Sequence, residues 1–73
     1  MKHFIETNPK VLGGTPVVKG TRIPIARVLF LLKDGYTVEA IQQDYPYVAL
    51  ETLKGAIDEA IEIVNNQKNA SLA

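Results

Sequence analysis

A loop bounded by glycines and carrying a lysine is the usual chemistry of a phosphate cradle. Residues Gly14–Thr21, Gly-Thr-Pro-Val-Val-Lys-Gly-Thr, come close to one. The order defeats the match. A phosphate loop places its lysine and hydroxyl after the second glycine and at a helix N-terminus, where amides and ammonium converge on the β-phosphate. Here Lys19 precedes Gly20, and Arg22-Ile23-Pro24 follows. The segment reads instead as turn chemistry. Gly13-Gly14 and Gly20 set sharp turns, Gly20 suits a positive φ, and Pro24 opens a helix.

Groups able to carry covalent or acid–base chemistry are scarce. His3 is the only histidine and sits near a terminus, and there is no cysteine to act as nucleophile, redox group or thiolate ligand. Ser71 lies in the polar tail, and no threonine has a base at a suggestive spacing. Asp58, Glu59 and Glu62 form a run that could hold a cation, but on a helix they belong to a solvated face. Tyr36, Tyr45 and Tyr47 flank a short helix, where amphipathic rings cap a small core. The expectation is a binding module rather than an enzyme, with no cofactor and no metal.

The remaining chemistry is cationic. Residues 1–33 carry Lys2, Lys10, Lys19, Arg22, Arg27 and Lys33 against Glu6 alone, a net +5. Residues 34–73 carry Lys54 and Lys68 against Asp34, Glu39, Asp44, Glu51, Asp58, Glu59 and Glu62, a net −5. Such asymmetry marks either a basic surface for nucleic acid or an acidic partner, or two halves that pair within a dimer. Lys10, Lys19, Arg22 and Arg27 are the candidate binding residues. Arg22 either reaches a base edge or groove, as homeodomain arms do, or pairs with a carboxylate across a dimer.

These residues need elements to hold them. Residues 3–8 alternate weakly and read as a short strand; Val11-Leu12 is a second apolar pair, and Val17-Val18 is β-branched and strand-like. From Pro24 the period becomes helical. Ile25, Val28, Leu29 and Leu32 form a stripe, and Gly35 supplies the stop. Ala26, Phe30 and Leu31 make the same helix apolar around most of its girth, as for a helix buried on more than one side or at an interface. Thr37 caps a second helix, Val38–Asp44, which Pro46 closes. A third runs from about Ala49 or Leu50 to Asn65, with Leu53, Ala56, Ile57, Ala60, Ile61 and Val64 inward. Glu51, Lys54, Asp58 and Glu62 line its other face, and Gly55 allows a close helix contact. Tyr45-Pro46-Tyr47-Val48 is a turn length suited to helix-turn-helix.

Length bounds the rest. Seventy-three residues make one domain. A chain of this size buries only about 60% of its unfolded surface, and without disulfide or metal its remaining support is oligomerisation. A homodimer is therefore expected. No apolar run reaches a membrane span, the N-terminus lacks a signal-peptide core, and the absence of cysteine is compatible with a reducing cytoplasm.

Gly13-Gly14-x-Pro16-Val17, then Gly20-Thr21-Arg22-Ile23-Pro24, a helix ending at Gly35, Glu39-x-Ile41 and Tyr45-Pro46 form a specific combination. It resembles the domain-of-unknown-function family 433 over about residues 4–64. The resemblance implies a homeodomain-like three-helix domain with an N-terminal β arm, commonly dimeric. For some members it implies a VapB-type antitoxin encoded beside a PIN-like ribonuclease toxin. One departure is Ala49, where the family tends to place Ser or Thr as a cap, a loss of about 1 kcal/mol. The fold expected is mostly α: a three-helix, homeodomain-like helix-turn-helix domain with a short β arm. Residues 1–23 form the arm, 24–65 the core and 66–73 a frayed tail. The function expected is an antitoxin-like regulator that binds its own operator DNA and neutralises a PIN-like toxin. The alternative is a homo-oligomeric interaction domain with no nucleic-acid role.

Overall fold

The fold, seen in a computed structural model, is built where turn residues interrupt short apolar runs. The structure describes residues 3–71, and the side chains of residues 3–66. In chain order it comprises β1 (Ile5–Glu6), a 3-10 turn (Leu12–Gly14), β2 (Val17–Val18), α1 (Ile25–Lys33), α2 (Val38–Asp44) and α3 (Leu50–Ser71). It is a mostly helical three-helix domain with a short N-terminal β arm.

The arm is a two-stranded antiparallel sheet in which Ile5 faces Val18 and Glu6 faces Val17. Val17 also bridges to Pro24, so β2 lies between β1 and the foot of α1. Val11 is extended (φ −117°, ψ 109°), but it leads straight into the 3-10 turn and pairs in no strand. Leu12, Gly13 and Gly14 all take positive φ (50°, 65° and 91°), and the chain reverses there with Leu12 half in solvent. Pro24 is not the first helical residue either. At φ −61° and ψ 135° it is the extended N-cap, because the bridge to Val17 holds it in the sheet.

Three signals end and start the helices as their chemistry requires. After α1, Gly35 N–H donates to Leu32 O and Tyr36 N–H to Leu31 O, both at 3.0 Å, with Gly35 at φ 99°. That pair of bonds satisfies carbonyls that the helix end leaves open. Thr37 Oγ1 accepts from Ala40 N at 3.1 Å and caps α2. The turn to α3 is closed by Val48 N–H to Tyr45 O at 2.9 Å, and Gln42 Nε2 on α2 donates to Val48 O at 3.1 Å. The tail boundary is corrected: α3 continues to Ser71 instead of ending near Asn65, since no Gly or Pro follows Gly55 to break it. Residues 72–73 of that tail, and Met1 and Lys2 of the arm, lie outside the described residues.

The core joins all of these pieces. Val18 and Ile23 of the arm, Val28 and Leu31 of α1, Ile41 of α2, Val48, and Leu53 and Ala56 of α3 form one buried cluster. Each large member contributes about 1.5–3 kcal/mol by leaving water. Other apolar positions do not reach it. Leu29 and Phe30 of α1 and Ile61 and Val64 of α3, although apolar, are exposed (36%, 56%, 50% and 61%). The domain has only one face of each helix to cover. Gly55 is occupied differently from the helix contact expected: the Phe4 ring lies on it, and an added Cβ would come within 2.6 Å of Phe4 Cγ. Phe4 N–H also donates to Glu59 Oε1 at 2.6 Å, which ties the arm to α3.

Candidate nucleic-acid interface

Buried residues on each side hold the Lys19–Arg22 segment out into solvent. Val17 and Val18 are anchored on one side and Ile23, with half-buried Pro24, on the other. Val18 N–H donates to Ile23 O at 2.9 Å and Thr21 N–H to Val18 O at 3.0 Å, so the chain between them is a closed hairpin tip. Thr21 locks it twice. Its Oγ1 donates to Val18 O at 2.7 Å and accepts from Ile23 N at 3.0 Å. Gly20 takes φ 76°, which places its N–H toward Glu6 Oε2 at 2.8 Å, and Lys19 N–H reaches Phe4 O at 2.8 Å. The motif Gly-Thr-Arg-Ile-Pro thus divides its labour. Glycine makes the turn, threonine clamps it, isoleucine anchors it in the core, and proline passes it to α1.

Lys19 and Arg22 are the exposed charged side chains of that hairpin tip. Among the described residues, neither is in an ion pair; the pair found is His3 with Glu59, Nδ1 to Oε2 at 3.6 Å. The Glu6 carboxylate stands at the same tip through its bond to Gly20 N–H, so the local charge is two cations against one anion. That bond also fills the amide a phosphate would need, which agrees with the segment not being a phosphate loop. Arg27 is exposed in the first turn of α1, and its N–H donates to Pro24 O at 3.0 Å, one step from the hairpin foot. Lys10 belongs to a separate turn, closed by Lys10 N–H to Asn8 Oδ1 at 2.9 Å and Val11 N–H to Asn8 O at 2.8 Å. The fold therefore joins Lys19 and Arg22 on one tip, keeps Arg27 nearby along the chain, and leaves Lys10 on a turn of its own.

The helix-turn-helix itself presents little cationic surface. Glu51, Lys54, Asp58 and Glu62 of α3 are all exposed, and carboxylates repel a phosphate backbone. Tyr47 in the preceding turn is 72% exposed, with its ring edge-on to Tyr45 at 6.3 Å. Sequence reasoning missed two contributors, Thr21 and Glu6. Thr21 stood inside the recognised motif, but a hydroxyl's partners depend on how the loop closes. Glu6 carried no signal beyond its charge. Among the described residues no group of three or more His, Asp or Glu side chains is placed to hold a metal ion, and no helix is long and apolar enough to cross a membrane.

The profile of the family described as Protein of unknown function (DUF433) matches residues 5–60. This chain belongs to the DUF433 family. A curated relative, an uncharacterized protein y4eO of Sinorhizobium fredii, is 34% identical over 53 residues, which is 73% of this chain. The chain spans about a quarter of that relative's length, 24%. The crystal structure of a DUF433 member from Anabaena variabilis superposes with a TM-score of 0.74 at 21% identity, covering 99% of this chain and 71% of that one. At that identity the likeness is one of fold. It places the arm and three helices together as the DUF433 architecture.

Proposed function

We propose that this DUF433 protein is an antitoxin-like DNA-binding regulator, a binding module rather than a catalyst, working in the cytoplasm. The observation that carries the reading is the hairpin tip: two exposed cations, Lys19 and Arg22, on a loop locked by six hydrogen bonds to its own backbone, to Thr21, to Phe4 and to Glu6. A rigid loop loses little entropy on binding, so its charges act at nearly full strength on a polyanion. Arg22 supplies a planar fork able to meet a phosphate or a guanine edge. The same basic segment is complementary to the acidic active site of a PIN-like ribonuclease, the partner that the family resemblance implies.

A gel-shift with DNA upstream of the protein's own gene, repeated at rising salt, tests the DNA half. A shift that weakens steeply with salt is expected. No salt-sensitive shift at micromolar protein removes that half. A small nuclease with a clustered-carboxylate site in the neighbouring reading frame, inhibited by this protein, supports the toxin half. A different observation, the exposure of Leu29 and Phe30 on α1, favours a homo-oligomeric interaction domain as the second reading. On that reading Lys19 and Arg22 meet carboxylates of another copy.

A further inference from the structure

The loop that joins β1 to β2 contains a leucine in a conformation that suits leucine poorly. Among the described residues Leu12 is the non-glycine residue with a positive φ, at 50°, and it begins a run completed by Gly13 at 65° and Gly14 at 91°. The loop is firmly closed. Val11 N–H donates to Asn8 O at 2.8 Å, and Gly14 N–H to Val11 O at 3.0 Å. Leu12 O accepts from Thr15 N–H at 3.3 Å and from Thr15 Oγ1 at 2.8 Å. At position 12 these bonds use the backbone alone, which any residue supplies. The side chain is another matter. Left-handed backbone is easy for glycine and tolerable for asparagine, whereas in leucine it crowds Cβ. Burial would offset that cost, but Leu12 is 49% exposed and belongs to neither the core cluster nor the residues packed on it. The fold of the single chain therefore gives no reason for leucine here. Strained residues of this kind gather where a protein grips a ligand.

We infer that Leu12 is an apolar wedge that this loop presents to the minor groove of duplex DNA, with Lys10 meeting a flanking phosphate. The charge around the loop selects that occupant. Between Glu6 and Asp34 the sequence has no acidic residue, and its charges there are Lys10, Lys19, Arg22, Arg27 and Lys33. Lys10 is exposed two residues before Leu12, and Glu6 is turned to Gly20 N–H at 2.8 Å. β2 is two residues long, about 7 Å of strand, with the Leu12 loop at one end and the Lys19–Arg22 tip at the other. Ile25 N–H donates to Pro16 O at 3.0 Å, which ties the end of the loop to the first turn of α1, where Arg27 stands. An apolar side chain framed by cations fits a groove floored by bases and walled by phosphates. Wedges of this kind part a base step and kink the duplex. An apolar pocket on a protein would accept the leucine but leave the cations unanswered. The inference deepens the DNA reading and rests on it: the tip supplies phosphate contacts and Leu12 the distortion.

A duplex of about 20 base pairs from upstream of the gene, with a fluorophore at each end, reads binding and bending together. The parent should bind with salt-sensitive affinity and draw the ends closer, as a kink of about 20–90° does. Leu12→Asn should melt no lower than the parent, since asparagine tolerates the left-handed backbone. It should bind at least about tenfold more weakly, lose most of the bend, and keep the parent's salt slope, because no phosphate contact is removed. Leu12→Met should keep the bend. Lys10→Ala should also keep it and flatten the slope by about 0.9 per bound protomer. A parent that binds without bending overturns the wedge and leaves the DNA reading standing. Leu12→Asn that binds and bends DNA as the parent does also overturns it, and leaves a protein pocket as the cover for this leucine. Leu12→Asn that melts well below the parent overturns it too, by showing a leucine that the fold itself requires. A parent with no salt-sensitive binding overturns the wedge and the DNA reading together.

Discussion

At the scale of single residues, Gly20 and Thr21 account for the shape of the candidate interface. An added Cβ at Gly20 would meet nothing within 4 Å, so a substitution there is opposed by the backbone alone. Its φ of 76° is costly for a β-branched residue. Gly20→Val should therefore lose about 1–3 kcal/mol in urea unfolding, more than changes at ordinary exposed positions. A midpoint equal to the parent's would show that Gly20 does not need this conformation. The glycine was legible in the sequence because a positive φ is a property of residue type. The two bonds of Thr21, and the Glu6 carboxylate on Gly20 N–H, were not. They join groups whose meeting depends on the β1–β2 register, which two-residue strands leave almost unmarked.

Whole elements divide in the same way between local and tertiary causes. The ends of α1 and α2 could be read from Pro24, Gly35, Thr37 and Pro46, since caps and stops act within a few residues. The end of α3 could not, because its polar tail lacks favourable spacing but holds no breaker. Inward and outward faces were legible only where a neighbour exists to cover them, so Ile61 and Val64 matched the helical stripe and are nevertheless exposed. Two substitutions probe α3. Its first turn has no side-chain acceptor at Ala49, so Ala49→Ser should raise stability by about 1 kcal/mol in thermal or chemical unfolding. No gain would mean the first-turn amides are already satisfied. Gly55→Ala should show a change of sign. In the parent, the new methyl collides with the Phe4 ring and destabilises, although alanine favours the helix. With Phe4→Ala also present, the same change should stabilise by about 1 kcal/mol, the helix-propensity difference. A Gly55→Ala effect identical in both backgrounds would contradict the Phe4–Gly55 contact.

For the whole molecule, two exposed features follow from one small core. The cluster buries one face of each helix and the roots of the hairpin. It leaves the cationic tip on the arm and an apolar strip along α1 and α3. The tip was legible as a charge imbalance between residues 1–33 and 34–73, though only the fold separates Lys10 from Lys19 and Arg22. The strip was legible as a first helix apolar around its girth. The proposed function gives the tip to DNA or a toxin, and its second reading gives the exposed Leu29 and Phe30 to another copy.

The central claim is that Lys19 and Arg22 bind a polyanion, and the dependence of operator affinity on salt tests it most directly. Each phosphate neutralised contributes about 0.9 to the slope of log affinity against log salt. Lys19→Ala with Arg22→Ala should therefore flatten the slope by about 2 per bound protomer and weaken binding at low salt. The same slope and affinity for parent and double variant would contradict the account and place these cations elsewhere.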